Sequence, residues 1–161
     1  MSKTAIMGFG NPVRSDDVAG VYVIEVLRKQ LPAHPQITLL DMGTSAFETL
    51  FQLKGHQRII IVDAVTNSGE PVGTIFKLPA EAIEAQIQDD PLVFLHSLKW
   101  DQALSYAKKI LQSDYPKDIQ VYLIAVDNIK LELSLSPEVK AAAEVVAEKI
   151  YAEVIEQEPA S

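Results

Sequence analysis

Three aspartates and one histidine carry the chemistry open to this chain. Asp17, with Asp16 before it, follows the turn Gly8-Phe9-Gly10-Asn11-Pro12, Asp41 and Asp63 close two apolar runs, and His96 precedes a stretch with helical periodicity. Singly, each has a plain structural explanation, since an aspartate beside a helix start is favoured as a cap or by the helix dipole and one after an apolar run is a turn residue. Taken together they point elsewhere. In an open α/β sheet, ligands bind outside the carboxyl ends of the strands, and several carboxylates gathered there repel one another until a cation joins them. Two carboxylates and one imidazole make a three-ligand site with open positions for a borderline ion such as nickel or zinc. Position alone leaves His96 equally well explained as a ligand or as a buried, hydrogen-bonded imidazole. His34, between prolines, and His56, after the helix-ending Gly55, read as structural.

Other chemistries are excluded by residue type and spacing. The chain has no cysteine, so disulfides, thiolate metal sites and cysteine nucleophiles are impossible. A dinucleotide fingerprint needs a glycine at position 13, which is Val13, and an acidic residue about 20 positions on, earlier than Asp41. There is no nucleophile elbow, His-Glu-x-x-His helix or Walker lysine. A net charge of −8 over 161 residues argues against nucleic acid and for a protein or small-molecule partner. No apolar run approaches the ~20 residues that span a bilayer, and the N-terminal stretch is too short for a signal-peptide core. A cytoplasmic protein without membrane contact is the expectation.

The elements that must position these residues follow from pattern. Residues 4–7 read as a buried strand, and Ser15 or Asp16 as the cap of a helix with Val21, Ile24, Leu27 and Leu31 on one face. Residues 36–40 form a second strand ending at Asp41, and a helix after Gly43 and Thr44 turns Phe47, Leu50 and Phe51 inward. The β-branched run 58–64 reads as a strand buried on both faces and ending at Asp63. Residues 74–78 fit an antiparallel edge strand, and 79–88 a short acidic helix. Ser97 is placed to cap a helix with Leu98, Leu104, Ala107 and Leu111 inward, 119–126 is a further buried strand, and Ser136-Pro137 opens the last helix. The alternation predicts one three-layer α/β/α domain, residues 1–155, with a mainly parallel twisted sheet of about five strands and a frayed tail, 156–161. With strand order 2-1-3, Asp17 and Asp63 share a crevice and Asp41 lies one strand away.

Gly8-x-Gly10-Asn11 followed by Asp16-Asp17 and Gly20, then Asp41-Met42-Gly43-Thr44, Ile61-Val62-Asp63-Ala64 and His96 before a helix resembles the [NiFe]-hydrogenase maturation endopeptidases, in register through essentially the whole chain. The resemblance implies an endopeptidase that removes the C-terminal extension of a hydrogenase large-subunit precursor after nickel insertion. It implies that Asp17, Asp63 and His96 contact the nickel, which the substrate supplies, and that zinc or cadmium can enter the same site in vitro. Gly10, Asn11, Asp41, Gly43 and Thr44 are the expected substrate-binding residues, and a monomer the expected state. Met42 stands where relatives often carry glycine, and its exchange for glycine is expected to disturb specificity more than stability. A cofactor-binding α/β domain and a non-catalytic metal-binding chaperone are the alternative readings.

Overall fold

The computed structural model describes residues 3–10, 18–31, 34–43, 52–65, 68–82, 100–126 and 135–156. Their elements are β1 (Thr4–Phe9), α1 (Ala19–Gln30), β2 (Ile37–Gly43), β3 (Arg58–Val65), β4 (Ile75–Pro79), α2 (Trp100–Leu111), β5 (Asp118–Ala125) and α3 (Pro137–Tyr151), the last continued by a π-helical turn at Ala152–Glu156. The five strands form one sheet in the order β2-β1-β3-β5-β4. Only β4 runs antiparallel, against β5. Because β3 has a neighbour on each side and helices over both faces, its residues after Arg58 are all buried, as the unbroken apolar run required. The period of two along the strands divides the core. Ile6, Ile60, Val62, Ile124 and the inner stripes of α1 and α3 pack on one face, while Met7, Ile59, Ile61, Val121, Trp100 and Leu104 pack on the other. The three-layer α/β/α architecture is thus present, with α1 and α3 on one side and α2 on the other.

Local boundaries differ from the sequence expectations in an instructive direction. β1 runs on to Phe9 and β2 to Gly43, and β3 ends at Val65, so Asp41 and Asp63 lie inside strands and do not terminate them. Aspartate and glycine are poor strand formers, but the parallel pairing of β2 with β1 carries the ladder through Asp41 to Gly43. Helix α1 has Val18 at its N-cap and no side-chain cap bond. Neither Ser15 nor Asp16 therefore holds the N-cap position, and both lie outside the described residues. The same is true of Phe47, Leu50 and Phe51, of Ser97 and Leu98, and of all but the first residues of the expected acidic helix, where residues 80–82 are helical.

Gly8 has a different task from the turn role its position suggested. It sits in β1, and a Cβ built there would lie 2.3 Å from the Gly20 carbonyl oxygen. A Cβ on Gly20 would lie 2.3 Å from the Val62 carbonyl oxygen and 2.4 Å from that of Phe9. The first turn of α1 thus rests directly on the backbones of β1 and β3, an approach open only to residues without side chains. At the opposite end of the sheet, Glu153 ties the C-terminal turn down by ion pairs to Lys77 and to Arg58, the latter at 2.8 Å. Arg58 also faces Asp118 at 3.5 Å. Among the described residues, no helix is long and apolar enough to cross a membrane.

Met42 corrects a further expectation, because it is only 6% exposed and packs in the α2-side core. Met42→Gly should cost about 2–4 kcal/mol through the lost side chain and the looser strand, so its effect on stability is not minor. Gly20→Ala should cost about 1–3 kcal/mol, because α1 must lift from the sheet to admit a methyl group. Denaturant midpoints at constant m-value check both.

Candidate functional site

Among the described residues, Asp63 is the carboxylate that the fold buries. It is 6% exposed, in the centre of the sheet, on a strand otherwise apolar beyond Arg58. A buried carboxylate is tolerated only where hydrogen bonds replace water. Here the Ala64 N–H donates to Oδ1 at 2.8 Å and the Trp100 indole Nε1–H donates to Oδ2 at 2.9 Å. These donors, one to each oxygen, fix the carboxylate plane.

Trp100 opens α2 and is 1% exposed. Its ring lies against Phe9, the last residue of β1, with centroids 6.4 Å apart and planes tilted by 34°. Trp100 thus links Phe9 to Asp63 on the α2 face. Trp100 is the partner of Asp63 that sequence reasoning missed. Its signal was present: a buried indole N–H needs an acceptor, this is the only tryptophan, and the strongest buried strand contains a single aspartate.

The Asp41 region is built differently. Asp41 is exposed, and its Oδ1 accepts the Gly43 N–H at 3.0 Å. Gly43 adopts φ of +55°, in the left-handed region that favours glycine. Its carbonyl accepts the Gly10 N–H at 2.8 Å. The expected substrate-binding residues Gly10, Asp41 and Gly43 therefore meet in one small knot at the carboxyl ends of β1 and β2. Register separates this knot from Asp63. Asp41 and Val62 both pair with Gly8 and share the α1 face, so Asp63, one residue on, presents its side chain to the α2 face. The two aspartates lie on opposite faces of the sheet, which explains why Asp41 satisfies itself locally. Asn11, Asp17, Thr44 and His96 lie outside the described residues. His34 Nδ1 pairs with the Gln36 N–H at 3.1 Å and His56 Nδ1 with the Gln52 carbonyl at 2.8 Å, in keeping with their structural reading.

A cavity of about 350 Å³ opens away from Asp63, lined by Ile75, Lys77, Tyr122, Lys149, Ala152 and Glu153. Lys77 is held charged beyond the ordinary lysine range chiefly by its hydrogen bond to Glu153. Burial pushes the Tyr122 phenol up. These groups serve the Glu153 anchor.

With this geometry in view, comparison with known proteins is informative. Residues 21–153 match the family model described as hydrogenase maturation protease, HycI. The hydrogenase 2 maturation protease of Escherichia coli K12 is 24% identical over 147 residues, spanning 91% of this chain and 87% of the relative. The hydrogenase expression/formation protein HoxM of Cupriavidus necator is 32% identical over 146 residues, spanning 89% of this chain and 69% of the relative. Among solved structures, the hydrogenase-maturating endopeptidase HybD from E. coli shares the fold with a TM-score of 0.82 at 24% identity, over 96% of this chain and 93% of that one. The [NiFe]-hydrogenase maturation protease HycI from Thermococcus kodakarensis gives a TM-score of 0.68 at 28% identity, over 97% and 94%. A peptidase with a buried aspartate at the heart of its sheet, oriented by Ala64 and Trp100, this chain belongs to the hydrogenase maturation protease family.

Proposed function

We propose that this peptidase removes the C-terminal extension of a [NiFe]-hydrogenase large-subunit precursor after nickel has been inserted, and that it recognises the substrate's nickel through Asp17, Asp63 and His96. The observation that carries the reading is the buried Asp63 carboxylate, oriented by Trp100 and Ala64. Covalent reach supports the other two members. His96 precedes Trp100 by four residues, so its Cα is bound to within about 14 Å of the Trp100 Cα. Asp17 precedes Gly20 by three residues, which bounds it to about 10 Å from a backbone in contact with the Val62 carbonyl. Both residues are thus tethered to the groups that touch or adjoin Asp63.

The work of the chain's own residues follows. Two carboxylates and an imidazole would hold the precursor's nickel, and with it the attached scissile segment, in one orientation, which turns a mobile tail into a positioned one. The ion can act as a Lewis acid on the carbonyl or the attacking water. A precursor without nickel offers nothing to coordinate, and selectivity results. The Gly10–Asp41–Gly43 knot, with Asn11 and Thr44, would line the path of the substrate chain on the other side of β1. Zinc or cadmium would enter the same ligand set in vitro, with borderline nitrogen and oxygen donors and no sulfur. A cytoplasmic monomer completes the reading.

The deciding experiment is mass spectrometry of nickel-loaded and nickel-free precursor after incubation with the purified chain. Only the nickel-loaded form should lose its C-terminal peptide, and equal cutting of both would end the metal-recognition mechanism. Asp63→Asn, nearly isosteric, should lower the cleavage rate at least about a hundredfold, on the scale of a lost metal ligand. Trp100→Phe keeps the packing against Phe9 but removes the N–H from Asp63. It should slow cleavage by about 10–100-fold, as the loss of a ligand-orienting hydrogen bond does, while costing about 1–3 kcal/mol in chemical denaturation. Wild-type kinetics in a folded Trp100→Phe protein would show that the indole merely fills space.

A further inference from the structure

The strand β2 lies at the edge of the sheet, and among the described residues no strand pairs with its outer side. The Thr4 N–H donates to the Gln36 carbonyl at 2.8 Å, and Thr4 pairs with Ile37, Ile6 with Leu39 and Gly8 with Asp41. In a parallel ladder of that register the β2 residues bonding to β1 are those that flank each partner, namely Gln36, Thr38 and Leu40. The N–H and C=O groups of Leu39 and Asp41 consequently face outward, and no described strand pairs with them. Ile37 shows the alternation directly, since its N–H turns to the His34 carbonyl at 3.1 Å. Before Met42, every side chain of β2 is exposed or half-buried, whereas β1 is buried throughout.

The two edges of the sheet are not alike. β4 carries Lys77 and Pro79, the residue types with which proteins guard an edge against further strands. β2 has neither, and its one charge is Asp41, near its end. An unguarded edge is a liability unless something uses it.

We propose that the outer edge of β2 docks an extended segment of the precursor as a sixth strand, through the main-chain groups of Leu39 and Asp41. This rests on the reading that the chain cleaves a precursor polypeptide. Continuity with the site favours that occupant. Asp41 is level with Gly8 and Val62 across the sheet, one residue short of Asp63, so the edge leads a peptide to the end of the sheet where the carboxylate lies. A sixth strand would lie three strand spacings, about 14 Å, from β3. Four or five extended residues cross that distance. The docked segment is therefore a neighbour of the scissile bond, separated from it by a short span that passes the Gly10–Asp41–Gly43 knot. Main-chain pairing of this kind supplies affinity with little demand on side-chain identity. A second copy of this chain is the competing occupant, and the net charge of −8 opposes it by bringing like-charged molecules together.

The test uses the full chain and nickel-loaded precursor. Leu39→Pro removes the outward N–H while leaving the β1 ladder intact, and an edge strand tolerates proline at such a position. It should raise KM for cleavage about tenfold, as expected for one lost main-chain hydrogen bond with some strand disorder, with kcat within about twofold. Leu39→Val, which keeps the N–H, should leave KM unchanged. Because Leu39→Pro could fail to fold, amide exchange is followed as well in the Asp63→Asn protein mixed with precursor. The Leu39 and Asp41 amides should slow by at least about tenfold on complex formation, while those of Thr38 and Leu40, already bonded to β1, stay as they were. An unchanged KM in folded Leu39→Pro, or unchanged exchange at Leu39 and Asp41 in the formed complex, overturns the proposal. Protection without precursor that deepens with protein concentration also overturns it, and gives the edge to a second copy. If the wild-type chain leaves every precursor intact, the endopeptidase reading fails on its own, and exchange at Leu39 and Asp41 on mixing still decides the edge.

Discussion

Two glycines in contact determine where everything else in this molecule can be. Gly8 in β1 and Gly20 in α1 bring strand and helix backbones together at distances a single methyl group would abolish, and Gly20 also touches the carbonyls of Phe9 and Val62. The start of α1 is therefore held over the ends of two adjacent strands by packing and not by a side-chain cap, which it lacks. The next residue after Phe9 is Gly10, whose N–H is bonded to Gly43, and the next after Val62 is Asp63. A small outward movement of α1 would loosen both at once. Interiors packed to this density respond to added volume by moving whole elements, so the constraint couples stability to the geometry of the site.

Asp63 shows the energetic side of the same arrangement. A carboxylate in the middle of a parallel sheet loses its water, and an apolar residue of similar volume would fit the surrounding packing at lower cost. Part of what offsets the loss is specific: a backbone N–H from the next residue and an indole N–H from another layer of the fold. The second of these makes α2 part of the site, since Trp100 cannot reach Asp63 unless the helix begins where it does. Asp41, by contrast, is exposed and bonded to an N–H two residues away. Its removal would disturb a turn and leave the core untouched.

Much of this was legible in the residues. The β-branched run of β3, the antiparallel edge strand β4 and the layer pattern follow from periodicity and from the lengths of the connections, whereas the strand order around β1 enters the sequence reading only as a condition and is fixed by the sheet itself. The candidate site was legible in part. Asp63 stood out as the one acidic residue of a buried strand, but its place within β3 did not, because aspartate reads as a terminator until the pairing with β5 through Val65 is known. The face on which each aspartate sits depends on a register of single residues, and no local signal carries that. Trp100 was hidden for another reason: its partner lies 37 residues away in sequence, and a hydrogen bond between layers has no period. Gly8 was mistaken for turn chemistry since a glycine needed for close approach and one needed for a turn look the same in sequence.

The two ends of β3 divide the work of the fold. At its start, Arg58 meets Asp118 and Glu153, and Glu153 also receives Lys77. Opposite charges answer one another there, and the C-terminal turn is fastened to the sheet. Near its other end, Asp63 accepts hydrogen bonds from an indole and a backbone amide, neutral donors that orient a carboxylate. The same strand thus carries an ion-paired start that fastens the C-terminal turn and, near its other end, a buried carboxylate oriented from two layers of the fold.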